Sequence, residues 1–207
     1  MNKLPSDIYF FKHDEDQVTW SPKLKDYIYF LKGQNIRGPY KFSYVDQNAS
    51  LIETLSLKDN ILLEAIPVSL KNSKEYQLHK FLEETGNQHL LGLYQHIQDL
   101  NLYPHQAGDQ DRKICALIKS MIRKADYLYL ENPEAYLFKD VLSILKEAIR
   151  HQVAIHQQVA VIHSQHFMLW SDEVNRIVSR QSDLRFVVTE VAVNNVTHMP
   201  EIFKKAA

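Results

Sequence analysis

Four histidines fall close together in the chain, at His151, His156, His163 and His166. Imidazoles at such spacing are candidate metal ligands, and a zinc site asks for three or four ligands with defined outer partners. Here they straddle the end of one predicted helix and the strand after it, so the rings need not converge, and no metal site is expected. The single cysteine, Cys115, excludes a disulfide framework and a thiolate zinc cluster. It sits in an apolar helical run, which fits a buried structural thiol in a reducing compartment. Arg112, Lys113, Lys119, Arg123 and Lys124 make one helix basic. No aromatic residues interleave with them, so a solvated charged face explains them better than nucleic acid does.

The elements that carry these residues can be read from pattern. The chain has 207 residues, 45% of them hydrophobic, with 24 basic against 25 acidic side chains. That length and core content suit one domain, 1–207, and the charge balance argues against a strongly basic nucleic-acid binder. No apolar stretch is long enough to span a bilayer. The N-terminal run Met-Asn-Lys-Leu-Pro-Ser-Asp has no apolar core behind a basic start, so no targeting signal is expected. Asp7 to Phe11 and Gln17 to Trp20 read as short strands, a small N-terminal β portion. Ser21-Pro22 opens a helix that stops at Gly33. A strand follows over Tyr40 to Val45, a loop to Thr54 and a helix over Leu55 to Ile66. Two helices divided near Gly86 occupy Ser73 to Tyr94, a loop spans Asn101 to Asp109, and Asp111 to Lys124 is a helix with apolar positions at helical spacing. Asp126 to Leu130 is a short apolar strand, Val141 to Ile155 a helix, and Val159 to Ile162 a continuous apolar run of the kind buried on both sheet faces. A brief helix over Phe167 to Ser171 and a strand pair over Val174 to Val178 and Arg185 to Val193 close the chain. Helices alternating with buried strands predict an α/β domain with a largely parallel sheet.

Between about residues 20 and 190, the order and spacing of these pieces resemble the nucleotide-binding domain of ABC-type ATPases. Tyr44-Val45-Asp46-Gln47-Asn48-Ala49-Ser50-Leu51, followed by Leu55-Ser56-Leu57-Lys58-Asp59-Asn60-Ile61, is similar to the family's Q-loop, with Gln47 in the Gln position. Gln106-Ala107-Gly108-Asp109-Gln110 stands where the LSGGQ signature belongs, and retains Gly108 and Gln110. The run from Ala125 to Leu137 resembles the Walker B strand and its continuation. Val159 to His166, then Asn175-Arg176-Ile177-Val178, resembles the switch-histidine strand and its successor. His166 fits the switch position by spacing, with His163 the alternative. The resemblance implies an ABC ATPase-like, P-loop NTPase-like fold with a helical subdomain near 67–125.

It also implies chemistry that these residues do not supply. The P-loop, GxxxxGK[ST], needs glycines whose N–H groups cradle phosphates and a lysine that reaches the terminal ones. The corresponding run, Trp20 to Asp26, has no glycine, carries Pro22, and puts Asp26 where a hydroxyl would hold Mg²⁺. Only Lys23 and Lys25, at a helix start, could still attract an anion. Glu131 replaces the Walker B aspartate, and Asn132 replaces the general base; an amide cannot take a proton from water. Asp109 replaces a signature glycine with a charge that repels phosphate. The degenerate nucleotide-site positions are thus Lys23, Lys25, Gln47, Gly108, Gln110, Glu131, Asn132 and His166. Chance could spoil one motif; the loss of several points to a catalytically inactive domain that needs no cofactor. The alternatives are an ATP sensor without turnover and an unrelated α/β enzyme. In the family a groove beside the Q-loop receives a helix of the membrane-embedded subunit. The resemblance therefore implies partner binding at Gln47, Leu51, Ile52 and Leu55, by a membrane transport subunit or an active ABC-type ATPase, in a homo- or heterodimer. It also implies a cytoplasmic location, at the membrane through that partner. Tyr27, Tyr29, Tyr40 and Tyr44 either fill the space a nucleotide would take or lie on a partner interface.

Overall fold

The computed structural model describes residues 3–12, 24–65, 78–123, 125–181 and 185–191. Within them the chain runs β1 (Ile8–Phe11), α1 (Leu24–Gly33), β2 (Phe42–Val45), α2 (Leu57–Ala65), α3 (Leu78–Glu84), α4 (Gln88–Gln95) and α5 (Asp109–Ile122). It continues through β3 (Tyr127–Glu131), α6 (Lys139–His156), β4 (Val159–His163), α7 (Phe167–Trp170), β5 (Arg176–Arg180) and β6 (Phe186–Glu190). The expected strand over Gln17 to Trp20, the Ser21-Pro22 helix start and Lys23 lie outside the described residues.

The six strands form one sheet in the order β2-β3-β4-β1-β5-β6. All neighbours are parallel except β5 and β6, which pair antiparallel. The small N-terminal β portion is β1, and it lies inside the main sheet between β4 and β5. From β1 the chain crosses through α1 to the far edge at β2, returns through β3 and β4, and then extends the sheet the other way. A reversal of this kind opens a crevice at the carboxyl ends of the strands beside it.

Alternation along the inner strands divides the core in two. Ile8 and Phe10, Leu128 and Leu130, and Ala160 and Ile162 face a cluster built with α2, α3, α4, α5 and α6. Tyr9 and Phe11, Tyr127 and Tyr129, and Val159 and Val161 face a second cluster closed by Tyr27, Phe30 and Leu31 of α1. Because both faces are covered, β4 is buried at every position, as its unbroken apolar run predicts.

Local signals set the boundaries. Ser56 caps α2: its Oγ accepts the Asp59 N–H at 3.1 Å and donates to the Asp59 carboxylate at 2.7 Å. Gly86 ends α3 at φ 74°, a left-handed value that glycine adopts at no steric cost. Asn87 then caps α4 by accepting from the His89 N–H at 3.1 Å, while its amide reaches the Ala148 carbonyl on α6 at 3.2 Å.

The turn after α7 is tied to α6 by charge. Glu173 is buried, and Arg150 grips its carboxylate through Nε and through Nη2 at 2.6 Å. Lys146 Nζ stands 3.8 Å away. Replacing Arg150 with Met leaves a buried carboxylate with one distant cation, which should lower stability by about 2 kcal/mol. Urea unfolding measures this; a loss below about 0.5 kcal/mol, the range of an ordinary surface substitution, would show that Lys146 alone suffices.

Candidate functional site

The carboxyl ends of β2, β3 and β4 bring three loops together. Asp46 to Ser50 leave β2, Asn132 to Leu137 leave β3, and Ser164 to His166 leave β4. Ser50 closes the first loop on Asp46, its N–H donating to the carboxylate at 3.0 Å and its hydroxyl to the other oxygen. Asn132 takes φ 40°, a left-handed backbone that asparagine tolerates better than most residues. Its N–H donates to the His163 carbonyl at 2.7 Å. Its side-chain amide is thereby aimed across the crevice and donates to Gln47 Oε1 at 2.8 Å.

Gln47, Asn132 and His166 line one cleft of about 380 Å³, with Glu134, Gln165 and Leu169 on its walls. His166, rather than His163, faces this space; His163 is buried at the end of β4. Glu134 orders the wall by accepting from the Ser164 hydroxyl and from Trp170 Nε1 at 3.1 Å.

Glu131 ends β3 with its side chain turned toward the α1 face, and Tyr44 donates its hydroxyl to Glu131 Oε2 at 2.5 Å. Burial, then this bond to the carboxylate, pushes the Tyr44 phenol far above its ordinary range. The Tyr44 ring stacks on Tyr129 at 5.5 Å, and Tyr27 packs against Tyr129 from α1 at 5.0 Å. Tyr27 and Tyr129 thus fill the layer beneath α1 and Tyr44 covers its exposed edge, whereas Tyr29 is exposed and Tyr40 bonds the Ile36 carbonyl at 2.8 Å.

The expectation of a solvated basic face does not hold at Lys113. Lys113 is fully buried. Its Nζ donates to the carbonyls of Asp46 at 2.9 Å, Gln47 at 3.2 Å and Glu131 at 3.3 Å. The signal was present: positions 113, 117 and 121 repeat at helical spacing, and Leu117 and Met121 are core residues. The bond from Tyr44 to Glu131 has no counterpart in sequence pattern.

The other expected positions are dispersed. Gly108 is the N-cap of α5. Gln110 Oε1 accepts from the Phe138 N–H at 3.1 Å, so it braces the far end of the β3 loop rather than the cleft. Asp109 pairs with Arg112 on the same turn. Lys25 is exposed in the first turn of α1, and Asp26 is buried next to it. Of the expected partner-binding residues, Leu51 and Leu55 are half-buried, Leu51 packing on the core, and Ile52 is 41% exposed. This segment is held by Asn60, whose carboxamide accepts the Ile52 N–H at 2.9 Å and donates to the carbonyls of Ile52, Leu55 and Ser56. Cys115 is buried, which pushes its thiol up to about 12. Among the described residues no three His, Cys, Asp or Glu side chains could together hold a metal ion.

No family model matches the sequence, and no curated protein matches it by sequence. Solved structures do match in three dimensions. The ATP binding subunit of an ABC transporter aligns with a TM-score of 0.60 at 12% identity, over 84% of this chain and 75% of that one. The ATP-binding cassette MJ0796, in a dimeric post-hydrolysis state bound to ADP and Pi, aligns at 0.59 and 12%, over 86% and 83%. RNase-L Inhibitor aligns at 0.59 and 15%, over 89% of this chain and 34% of that one. At such identities the likeness is one of fold. The chain has the fold of an ABC-type ATPase nucleotide-binding domain, an α/β, P-loop NTPase-like architecture. Among the described residues no helix is long and apolar enough to cross a membrane.

Lys113 gives the site a measurable pH signature. Burial pushes its ammonium down to about 8, against the pull of the Asp46, Glu134 and Glu131 carboxylates. The folded value lies below the ordinary 10.5, so between those two values the unfolded chain holds the proton more tightly, and stability rises with pH across that window. At neutral pH Lys113→Met should cost about 2 kcal/mol, because three carbonyls lose a charged donor. The gap between wild type and variant should widen from pH 8 toward 10. Urea unfolding of both proteins tests this; a gap that narrows would contradict a depressed, buried ammonium.

Proposed function

We propose that this chain is a pseudo-ATPase: an ABC ATPase-like subunit without ATP turnover, acting as a structural or regulatory partner in a transporter-type membrane complex. The observation that carries the proposal is the bond from Asn132 to Gln47. In an ABC-type ATPase the position after the Walker B carboxylate faces the attacking water as a base. Here a neutral amide stands there, and its donor is already committed to the Q-loop glutamine. Glu131, the residue placed to organise a cation, is committed to Tyr44. Each of these two groups thus spends a hydrogen bond within the protein, which on this reading draws it away from a phosphate. The degeneracy of Lys23, Lys25, Gly108 and Gln110 as a phosphate site belongs to the same reading.

On this reading the chain is not an enzyme, and its retained surface is the segment after β2. Its partner is a membrane transport subunit or an active ABC-type ATPase, which places it at the cytoplasmic face of a membrane. Asn60 holds residues 52 to 56 through four backbone groups, so the loop presents Ile52 from a fixed frame.

No ATP-dependent phosphate release above background is expected from the purified protein. Asn132→Glu should not create any. Glutamate is poorly suited to a left-handed φ, and a base alone does not align a phosphate with water. Turnover in wild type that disappears in Glu131→Ala, or turnover appearing in Asn132→Glu, overturns the proposal. A rise in melting temperature with Mg-ATP would instead reassign the chain as a nucleotide sensor.

The docking surface is tested at Ile52, the exposed apolar residue of the segment. Ile52→Asp should abolish co-purification of the partner from native cells while shifting the melting temperature by no more than about 2 °C, the scale of a surface change within about 0.5 kcal/mol. Retention of the partner by Ile52→Asp shows that the interface lies elsewhere.

A further inference from the structure

The sheet ends at β2, and among the described residues no strand lies on its outer side. The Lys41 carbonyl, just before β2, accepts from the Asp126 and Tyr127 N–H groups at 2.8 and 3.1 Å, so it points toward β3. Backbone bonding groups alternate in direction from one residue of a strand to the next. Those of Ser43 and Val45 therefore also turn to β3, and those of Phe42 and Tyr44 turn outward. Such an edge is a template for a further strand.

Beside this edge, between β2 and the second half of α5, lies a cleft of about 210 Å³. Sites for drug-sized ligands start near about 300 Å³, so this space suits one or two side chains instead. Ser43, Ala116 and Ser120 are its buried walls. Lys119 of α5 and Arg123, the C-cap residue of that helix, line it and reach solvent. The one acid in the lining is Asp46, and both of its carboxylate oxygens accept from Ser50. The exposed Lys41 adds a third positive charge at the start of the same edge. On the opposite face of β2 the Tyr44 ring is exposed. Side chains of an added strand point alternately to the two faces. Every second one meets the cations of α5, and those between meet the Tyr44 ring.

We infer that the β2 edge and this cleft bind an extended segment of a partner protein that carries acidic residues at alternate positions. Its backbone pairs with Phe42 and Tyr44, its carboxylates seat against Lys119 and Arg123, and its intervening apolar side chains cover Tyr44. The site lies outside the crevice between Gln47 and Asn132 and does not depend on the pseudo-ATPase reading.

A capped hexapeptide of alternating valine and glutamate is the probe, and the valine–lysine peptide of the same length is the control. Titration of the full chain, followed by NMR, should show saturable binding of the glutamate peptide, at least tenfold tighter than the lysine peptide. At saturation, hydrogen exchange should slow at the Phe42 and Tyr44 amides and change little at Ser43 and Val45, which already face β3. The double variant Lys119→Glu, Arg123→Glu should weaken the glutamate peptide about tenfold and reverse the preference, since rim charges select partners by sign. Three outcomes overturn the inference: no saturable binding of the glutamate peptide, unchanged exchange at Phe42 and Tyr44 when it is bound, or equal binding of the two peptides. Should the double variant fail to fold, the exchange pattern and the charge preference of the wild type decide the matter alone.

Discussion

The ammonium of Lys113 is the contact on which the arrangement of the strand ends depends. A lysine is rarely buried without a partner, because desolvating its charge costs several kcal/mol. Here three backbone carbonyls from two separate segments surround it, and the Asp46, Glu131 and Glu134 carboxylates lie close enough to favour its charged form. Those carbonyls belong to the loop after β2 and to the last residue of β3. Gln47, which bears one of those carbonyls, and Asn132, next after Glu131, supply the two side chains that meet across the crevice. One buried cation therefore sets the spacing of two loops. The hydrogen bond between Gln47 and Asn132 is a consequence of that spacing, aided by the left-handed turn at Asn132.

The layers on either side serve the same end differently. On the α5 side, apolar packing of α2 against α5 and of α4 against α6 presents Lys113 from a rigid helix. On the α1 side the layer is aromatic. Tyr27, Tyr129 and Tyr44 form a column whose last hydroxyl lands on Glu131. Among the described residues the Tyr27 and Tyr129 hydroxyls have no hydrogen-bond partner and are sealed from solvent. An aromatic layer of this kind can fill a volume rigidly with few rotatable bonds. On the proposed reading it does so next to the position where a cation-binding carboxylate would otherwise be free.

Much of this architecture was legible in the sequence where a single physical rule dominates. The unbroken apolar run over Val159 to Ile162 marked a strand covered on both faces, and β4 is that strand. Gly86 marked the division between α3 and α4 because few other residues accept its backbone conformation. The resemblance in motif order grouped Gln47, Glu131 and His166 at the strand ends; Gln47 and His166 line one cleft with Asn132, whereas Glu131 turns to Tyr44 on the α1 face. What escaped depends on contacts between segments far apart in the chain. Charge alone put Lys113 on the surface, while its helical register with Leu117 and Met121 argued for the core; three carbonyls from other elements decided between them. Leu51 was grouped with Ile52 on a docking face, but neighbouring loop residues point in different directions, and Leu51 turns inward. Tyr44 was one of several tyrosines, and nothing local distinguishes the one whose strand position brings it to Glu131.

On the proposed reading the fold and the chemistry have separated in this chain, and the polar groups at the strand ends suggest a route. A nucleotide site in use must leave its carboxylate, base and glutamine partly unmet by the protein, because the ligand, cation and water supply the remaining bonds. Such vacancies destabilise the free protein and persist where function requires them. Here each of these groups has one bond within the protein: amide to amide at Asn132 and Gln47, phenol to carboxylate at Tyr44 and Glu131, amide to backbone at Gln110 and Phe138. On the proposed reading each such bond contributes stability that a working site would forgo, and each uses residues that the scaffold already holds in place. The constraint that survives is geometric. Lys113 and Asn60 organise the loop that runs from the strand end to the exposed Ile52, so on the proposed reading the shape of that surface does not depend on a reaction beside it.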